Sequence, residues 1–319
     1  MSKMITDSKN YEDIADAIRA KNASSDTYEP GDMAQAIDDI PTGSDKPYIE
    51  ITNMDSNGYT TGVALHNYNN TTGKTRIDAY QFLDYTYLSK ITGLEDITAV
   101  SGSAFSNFSS KSFSVPSLYI PLPKCEIIGA SAFAYRRNGT TTVLINPKIM
   151  KNIYNYAFND VNPIMLNPTE IIEDEEGHKI WNFDELVTVG QYAFHNSGLN
   201  TRVFADSIIK APKLTNVPDE AFTYCGMIVF EAPNLTTIGS KAFSCTPYLR
   251  KIWIKSGGTV TASAANKAPF YYSNENLEIF TDAESKPSTW GSYFDLIDST
   301  SSIRATVHYG STYQDFLDA

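Results

Sequence analysis

Residues able to do chemistry are few and scattered along this chain. The four histidines are His66, His178, His195 and His308, and no two of them form an HExxH or other close metal pair. His178 adjoins the acidic run Glu173-Asp174-Glu175-Glu176, but the alternating acidic order of a calcium loop is missing, so the run is expected to be a solvated acidic loop. Thr72-Gly73-Lys74-Thr75 has the last residues of a phosphate-binding loop. The glycine that such a loop needs five residues before its Gly-Lys pair is replaced by Tyr68, which leaves a polar turn. Cys125, Cys225 and Cys245 are odd in number and widely spaced, which excludes a disulfide framework and a zinc pattern. A cysteine nucleophile also needs a neighbouring base. Cys125 stands where other units carry Leu, Met or Ile and reads as a small core hydrophobe, and Cys225 and Cys245, three and two residues after a repeat Phe, read as structural. Paired carboxylates that cut sugars are not marked by any feature among the 37 acidic residues. The sequence therefore assigns no catalytic residue, no metal ligand and no cofactor.

Composition narrows the partners. The 319 residues carry 37 acidic and 25 basic side chains, for a formal charge of −12, which argues against a general binder of nucleic acid or anionic membrane. A hydrophobic share of 42% and an aromatic share of 12% indicate a folded, β-heavy protein rather than a disordered one. There is no stretch of 18 apolar residues to span a membrane, and Met1 to Asp7 opens no signal-peptide core, so synthesis in a reducing cytoplasm is the expectation.

The elements that must position any site begin with two predicted short helices in residues 1–42. Ile14 and Ile18 recur at helical spacing in the first, and Met33, Ile37 and Ile40 do so in the second, which Pro30 opens. Helices this short are marginal alone, so these stripes are expected to pack on each other and on a partner. Residues 46–73 alternate loosely around the turn signal Asn57-Gly58 and read as strands that form an entry cap to the rest of the chain.

From residue 74 the chain repeats. Each unit is an aliphatic residue, four others, then Phe: Ile77/Phe82, Val100/Phe105, Ile128/Phe133, Ile153/Phe158, Val189/Phe194, Val217/Phe222 and Ile238/Phe243. Ala precedes Phe in six of the seven, and in the same six an apolar residue stands three before the aliphatic one: Ile97, Cys125, Met150, Leu186, Leu214 and Leu235. Short β-type runs such as Val143-Leu144-Ile145 and Ile252-Trp253-Ile254 follow most units. Alone these runs are too short. They make sense if each coil gives one strand to a shared parallel sheet, with the Phe side chains stacked inside. The fold class predicted is thus a β-rich solenoid over residues 74–280, closed by a C-terminal cap over 281–319.

The motif Leu235-x-x-Ile238-Gly239-x-x-Ala242-Phe243 resembles the BspA-type leucine-rich repeats, over about residues 75 to 280. That resemblance implies a right-handed coil with short parallel strands, preceded here by the two-helix module. The resemblance of the tail to the family's last coil implies a final strand at Ala305 to Tyr309, with a short capping helix expected at Tyr313 to Leu317. The chain departs from it in the irregular Phe spacing and in the 36-residue unit between Phe158 and Phe194, which holds an insertion at Thr169 to Asn182. The segments Tyr11 to Lys21 and Tyr28 to Ile37 resemble the N-terminal part of tail and baseplate proteins from phages of Gram-positive hosts. This second resemblance implies that residues 1–42 attach to other tail or baseplate proteins of a virion. The remainder would then face a host-surface glycan or protein, often as a homotrimer. It implies a non-enzymatic receptor-binding role. A bacterial surface adhesin and a host-glycan depolymerase are the alternatives.

Two surfaces are candidates for such contact. If Val143 and Ile145 point inward, strand alternation turns Leu144 outward, and the same register exposes Met165, Phe204, Val229 and Trp253 as one apolar column. A column of that size on a face left open by helices would be an interaction patch, facing a sister subunit or a receptor. The tyrosines of the turns, Tyr135, Tyr154, Tyr156, Tyr192, Tyr224, Tyr248, Tyr271 and Tyr272, suit sugar or protein contact.

Overall fold

The computed structural model describes residues 46–83, 85, 87–106, 117–134, 141–159, 164–169, 171–195, 203–298, 300 and 302–319, with the backbone alone over 164–168. The predicted helices of residues 1–42, with Ile14, Ile18, Met33, Ile37 and Ile40, lie outside the described residues, as do Tyr135 and the Met165 side chain. The chain divides into two units, Met1–Pro47 and Tyr48–Ala319.

The larger unit is a solenoid, and its interior explains the repeat. Eight phenylalanine rings form one stack, from Phe82 through Phe105, Phe133, Phe158, Phe194, Phe222 and Phe243 to Phe270. Neighbouring centroids are 4.9 to 5.8 Å apart, close to the roughly 4.8 Å spacing of paired strands. Each ring belongs to one coil. Phe270 is the eighth rung, and it escapes the sequence pattern because Pro269 stands where six of the other coils carry Ala and Ala265 stands at the aliphatic position.

The alanines are fully buried because their carbonyls do the coupling. The Phe82 amide donates to the Ala104 carbonyl of the next coil, Phe105 to Ala132, Phe133 to Ala157, and so on to Phe222 and Ala242. The turn that makes this possible holds the residue two before Phe in the left-handed region. Tyr80, Ser103, Ser131, Tyr156, Tyr192, Glu220 and Lys241 all have φ between 54° and 60°. Such a conformation costs a non-glycine residue about 1–2 kcal/mol, and the hydrogen bond across the coils offsets it. The six apolar residues from Ile97 to Leu235, Cys125 included, are buried beside the stack.

Each coil gives two strands. The aliphatic position forms two-residue strands, and Thr188–Val189, Asn152–Ile153, Ile127–Ile128, Ala99–Val100 and Arg76–Ile77 pair in parallel as one sheet. The β-type runs form the longer strands. Leu118–Leu122, Thr141–Ile145 and Ile164–Pro168 make one parallel sheet. Lys179–Asn182, Ser207–Lys210, Val229–Glu231, Lys251–Trp253, Glu278–Phe280 and Thr306–His308 make another, with the antiparallel strand Ile172–Glu173 at its edge. The insertion accounts for the break between these two sheets: the 36-residue unit spends its extra length on a hairpin at Ile172 to Asn182. The short-strand sheet runs through this point unbroken, because Thr188–Val189 still pairs with Asn152–Ile153.

At the N-terminal end Tyr48–Met54 and Thr60–His66 form an antiparallel hairpin around Asn57-Gly58, and Lys90–Thr92 continues it in parallel. At the other end a helix, Tyr313–Asp318, starts at a capping box in which Thr312 and Asp315 bond each other's backbone amides.

Candidate functional site

The open face of the seven-stranded sheet is the best-formed candidate surface. Register sorts the sheet into one inward and two outward ladders. Trp181, Ile209, Phe230, Ile252, Ile279 and Val307 point into the solenoid. The outward ladder on one side of them runs Ile180, Ile208, Val229, Lys251, Glu278, Thr306. On the other side it runs through Asn182, Lys210 and Glu231, then through Trp253, Phe280 and His308.

The terminal helix lies over the second ladder. Phe316 sits 6.3 Å from the Trp253 ring and 5.7 Å from Phe280, and Tyr313 meets Trp253 edge-on at 5.3 Å. Trp253, Phe280 and Phe316 form a buried cluster apart from the main core, with Tyr313 and Val229 packed against it. Polar contacts pin the helix: Lys251 Nζ donates to the Phe316 carbonyl at 2.8 Å, and the Tyr313 hydroxyl donates to Glu231 at 2.9 Å. Burial, and then the charge of Glu231, push the Tyr313 phenol well above its usual value. Burial likewise pulls Lys251 below the usual lysine range.

Between this helix and the hairpin at Ile172 to Asn182 lies a groove of about 740 Å³. Ile180, Ile208 and Val229 line it, with Phe316 and Leu317 on the helix side and Asp174, Glu176 and His178 on the hairpin side. Asp174 is fixed, accepting from the amides of Glu176 and His178 at 3.0 and 2.8 Å and lying 3.0 Å from His178 Nδ1. Lys210 pairs with Glu231 at 2.9 Å, and His308 lies 3.2 Å from Glu278. Arg250 and Lys251 line it three strands from the hairpin, with Glu278 on the next strand.

The predicted apolar column is corrected on two grounds. Phe204 is not on a strand: it occupies a turn at φ 61°, is 3% exposed, and packs edge-on to Trp181 and Phe194. The strand begins only at Ser207, so its outward residue is Ile208. Trp253 does point away from the interior but is also 3% exposed, because the terminal helix covers it. Register separates the rest. Half-buried Leu144 pairs with Asn167, and Met165 pairs with Thr142, so the two stand in different rows. Half-buried Val229 belongs to the ladder of Ile208, not that of Trp253. Ile180 and Ile208 were missed because the hairpin shifts the frame and no motif marks them.

The turn tyrosines do not converge on this groove. Tyr154, Tyr248 and Tyr272 are exposed, while Tyr156, Tyr192, Tyr224 and Tyr271 are half-buried. Tyr156 and Tyr192 stack at 4.9 Å in successive coils, and Tyr271 meets Tyr272 at 4.3 Å. Beside Tyr192, His195 bridges Asn159 and Glu220, at 3.1 Å each, and burial lowers its pKa against the pull of Glu220. Lys74 pairs with Asp78 at 2.5 Å, and burial pushes the Cys125 thiol up to about 12, far from a reactive thiolate. Among the described residues no group of His, Cys, Asp and Glu could hold a metal ion, and no helix is long and apolar enough to cross a membrane.

Stacked coils, a ladder of Ala-Phe turns and one sheet face left partly open define a repeat solenoid. A family model of the BspA type leucine rich repeat region matches six copies here, over residues 49–135 and 178–285. The chain belongs to that family. The matched range extends the repeats back into the N-terminal hairpin, ahead of residue 74, and it omits the coil before the hairpin at Ile172 to Asn182, where the unit is longest. A comparison with curated proteins finds none that matches.

Proposed function

We propose that this chain is a phage tail-fibre or baseplate receptor-binding protein. In this reading the solenoid adheres to the host cell surface and residues 1–42 attach to the virion. The observation that carries the adhesive role is the groove on the seven-stranded sheet: a preformed surface on a rigid stack, with side chains of both charges around aliphatic ones. The pattern of residues 11–37 supports the attachment. The action is binding rather than catalysis, and several copies, as in a homotrimer, raise weak contacts by avidity. Fractionation of particles tests the reading: the chain sediments with tails, and deletion of residues 1–42 leaves a folded, cell-binding protein that no longer joins them. Recovery in a bacterial cell envelope instead would establish the second reading, a bacterial surface adhesin, which the repeat family favours on its own. Release of reducing ends from host polysaccharide would overturn both in favour of a depolymerase.

A further inference from the structure

We infer that the groove between the hairpin and the terminal helix takes a short peptide segment, with aliphatic side chains at its centre, a cation at one end and an anion at the other. This deepens the adhesive reading of the same surface by naming the chemistry of the partner.

The floor of the groove is aliphatic. Ile180, Ile208 and Val229 stand side by side on three successive strands and are half-buried, so an apolar group laid across them completes their burial. The flat rings of this face, Trp253 and Phe280, are under the terminal helix, so a sugar ring finds no platform in the floor. Branched aliphatic side chains suit this floor and sugar rings do not.

The groove is also polarised along its length. Asp174 and Glu176 stand at the hairpin, and Arg250 and Lys251 stand three strands away, before Glu278 on the next strand. Between them Lys210 pairs with Glu231, and Lys251 donates to the Phe316 carbonyl. Glu278, on the strand beyond Lys251, lies 3.2 Å from His308. Two groups are left with capacity. Glu176 reaches His178 only at 3.6 Å and its side chain is 77% exposed. Arg250 makes no side-chain hydrogen bond or ion pair among the described residues. A complementary occupant therefore places its cation over Glu176 and its anion over Arg250. The strand at Lys179–Asn182 and the strand at Lys251–Trp253 are three strand intervals apart, about 14 Å at roughly 4.8 Å each, which an extended peptide spans in about four to five residues.

Capped synthetic peptides test this on the full chain by titration calorimetry. The probe is Lys-Val-Leu-Val-Glu, compared with Lys-Ser-Ser-Ser-Glu, Lys-Val-Leu-Val-Lys, Glu-Val-Leu-Val-Glu and a chitin trisaccharide. The mixed-charge aliphatic peptide is expected to bind about tenfold tighter than any of the others. Arg250→Glu shifts the preference to the peptide with two lysines, and Glu176→Lys shifts it to the peptide with two glutamates. Both positions are exposed, so thermal melting should match the parent, and Ile208→Asn separately removes the preference for an aliphatic centre. Equal affinity for all the peptides, or binding of the trisaccharide in their place, overturns the inference. Its failure is distinct from failure of adhesion. A chain that binds host cells but none of these peptides sinks the inference alone. A chain that shows the predicted charge preference but binds no cells sustains the inference and sinks the adhesive reading.

Discussion

Replacing Phe158 tests whether the ring stack holds the solenoid together. The side chain is fully buried, and it stacks on Phe133 at 5.3 Å and 1° and on Phe194 at 5.4 Å and 11°. Phe158→Ala removes the whole ring from a core that closes in only partly around the gap, and is expected to cost about 3–5 kcal/mol. Phe158→Leu is more informative. It keeps most of the apolar volume and removes the two ring contacts, each worth about 0.5–1.5 kcal/mol, for a loss of about 1–3 kcal/mol. The last ring, Phe270, is also fully buried and among the described residues meets one ring only, Phe243 at 5.8 Å. Phe270→Leu should therefore cost about half as much. Urea denaturation followed by circular dichroism measures both. Coils contact only their neighbours, so the central substitution should also broaden the transition, as coils on either side uncouple. Equal losses at the two positions, or a loss below about 0.5 kcal/mol at Phe158, would refute the stack as the source of stability.

The remaining expectations are briefer. Phe316→Ala should release the terminal helix from Trp253 and Phe280, seen as a red shift and faster quenching of tryptophan emission while the solenoid's circular dichroism is kept; unchanged emission counts against the helix as a cover. Trp253→Glu should act in the same way, since it buries a carboxylate under that helix, and a helix still protected from hydrogen exchange would contradict the packing. Gly239→Ala should destabilise, because its Cβ would lie 2.4 Å from the Asp219 amide nitrogen of the neighbouring coil, and an unshifted denaturation midpoint would disprove that approach. His195 titrates lower in the folded state than its ordinary value of 6.5, so its contribution to stability is full above that pH and declines as pH falls through and below it. The decline in melting temperature on acidification through that value should thus be smaller in His195→Gln than in the parent, and equal declines would contradict the burial of the ring.

The interior was legible in the sequence because every coil solves one packing problem with one set of residues. Phe must reach the axis, the residue before it must turn its carbonyl to the Phe amide of the preceding coil, and the aliphatic residue five earlier must fill the space beside the ring. That repetition is why Val189 and Phe194 stay in register even though the unit before them is 36 residues long: the insertion loops out on the longer-strand side, where Ile172–Glu173 pairs back on Lys179 and Ile180, and the short strands close over it. What the pattern did not disclose is conformational. Nothing in the types of Tyr80, Ser103, Glu220 or Lys241 announces a shared left-handed backbone, since the requirement there comes from the hydrogen bond of the residues after them and not from the side chain.

The outward face was less legible for the opposite reason. Alternation correctly turned Leu144, Val229 and Trp253 away from the interior, because inward neighbours fix the parity of a strand. Parity does not fix register between strands, and a shift of two residues keeps parity while moving a side chain to another ladder. That is how Val229 and Trp253, both outward, came to stand in different rows, one lining the groove and the other beneath a helix. Nor does parity report a cover contributed from far along the chain, as Phe316 is for Trp253. Phe204 fails even the parity argument, because a left-handed turn precedes the strand and sends the ring inward. Local sequence therefore fixes which side chains leave the core, while the loops and the terminal helix decide which of them meet solvent. The groove exists because the hairpin and the helix cover the two ends of one face and leave Ile180, Ile208 and Val229 between them.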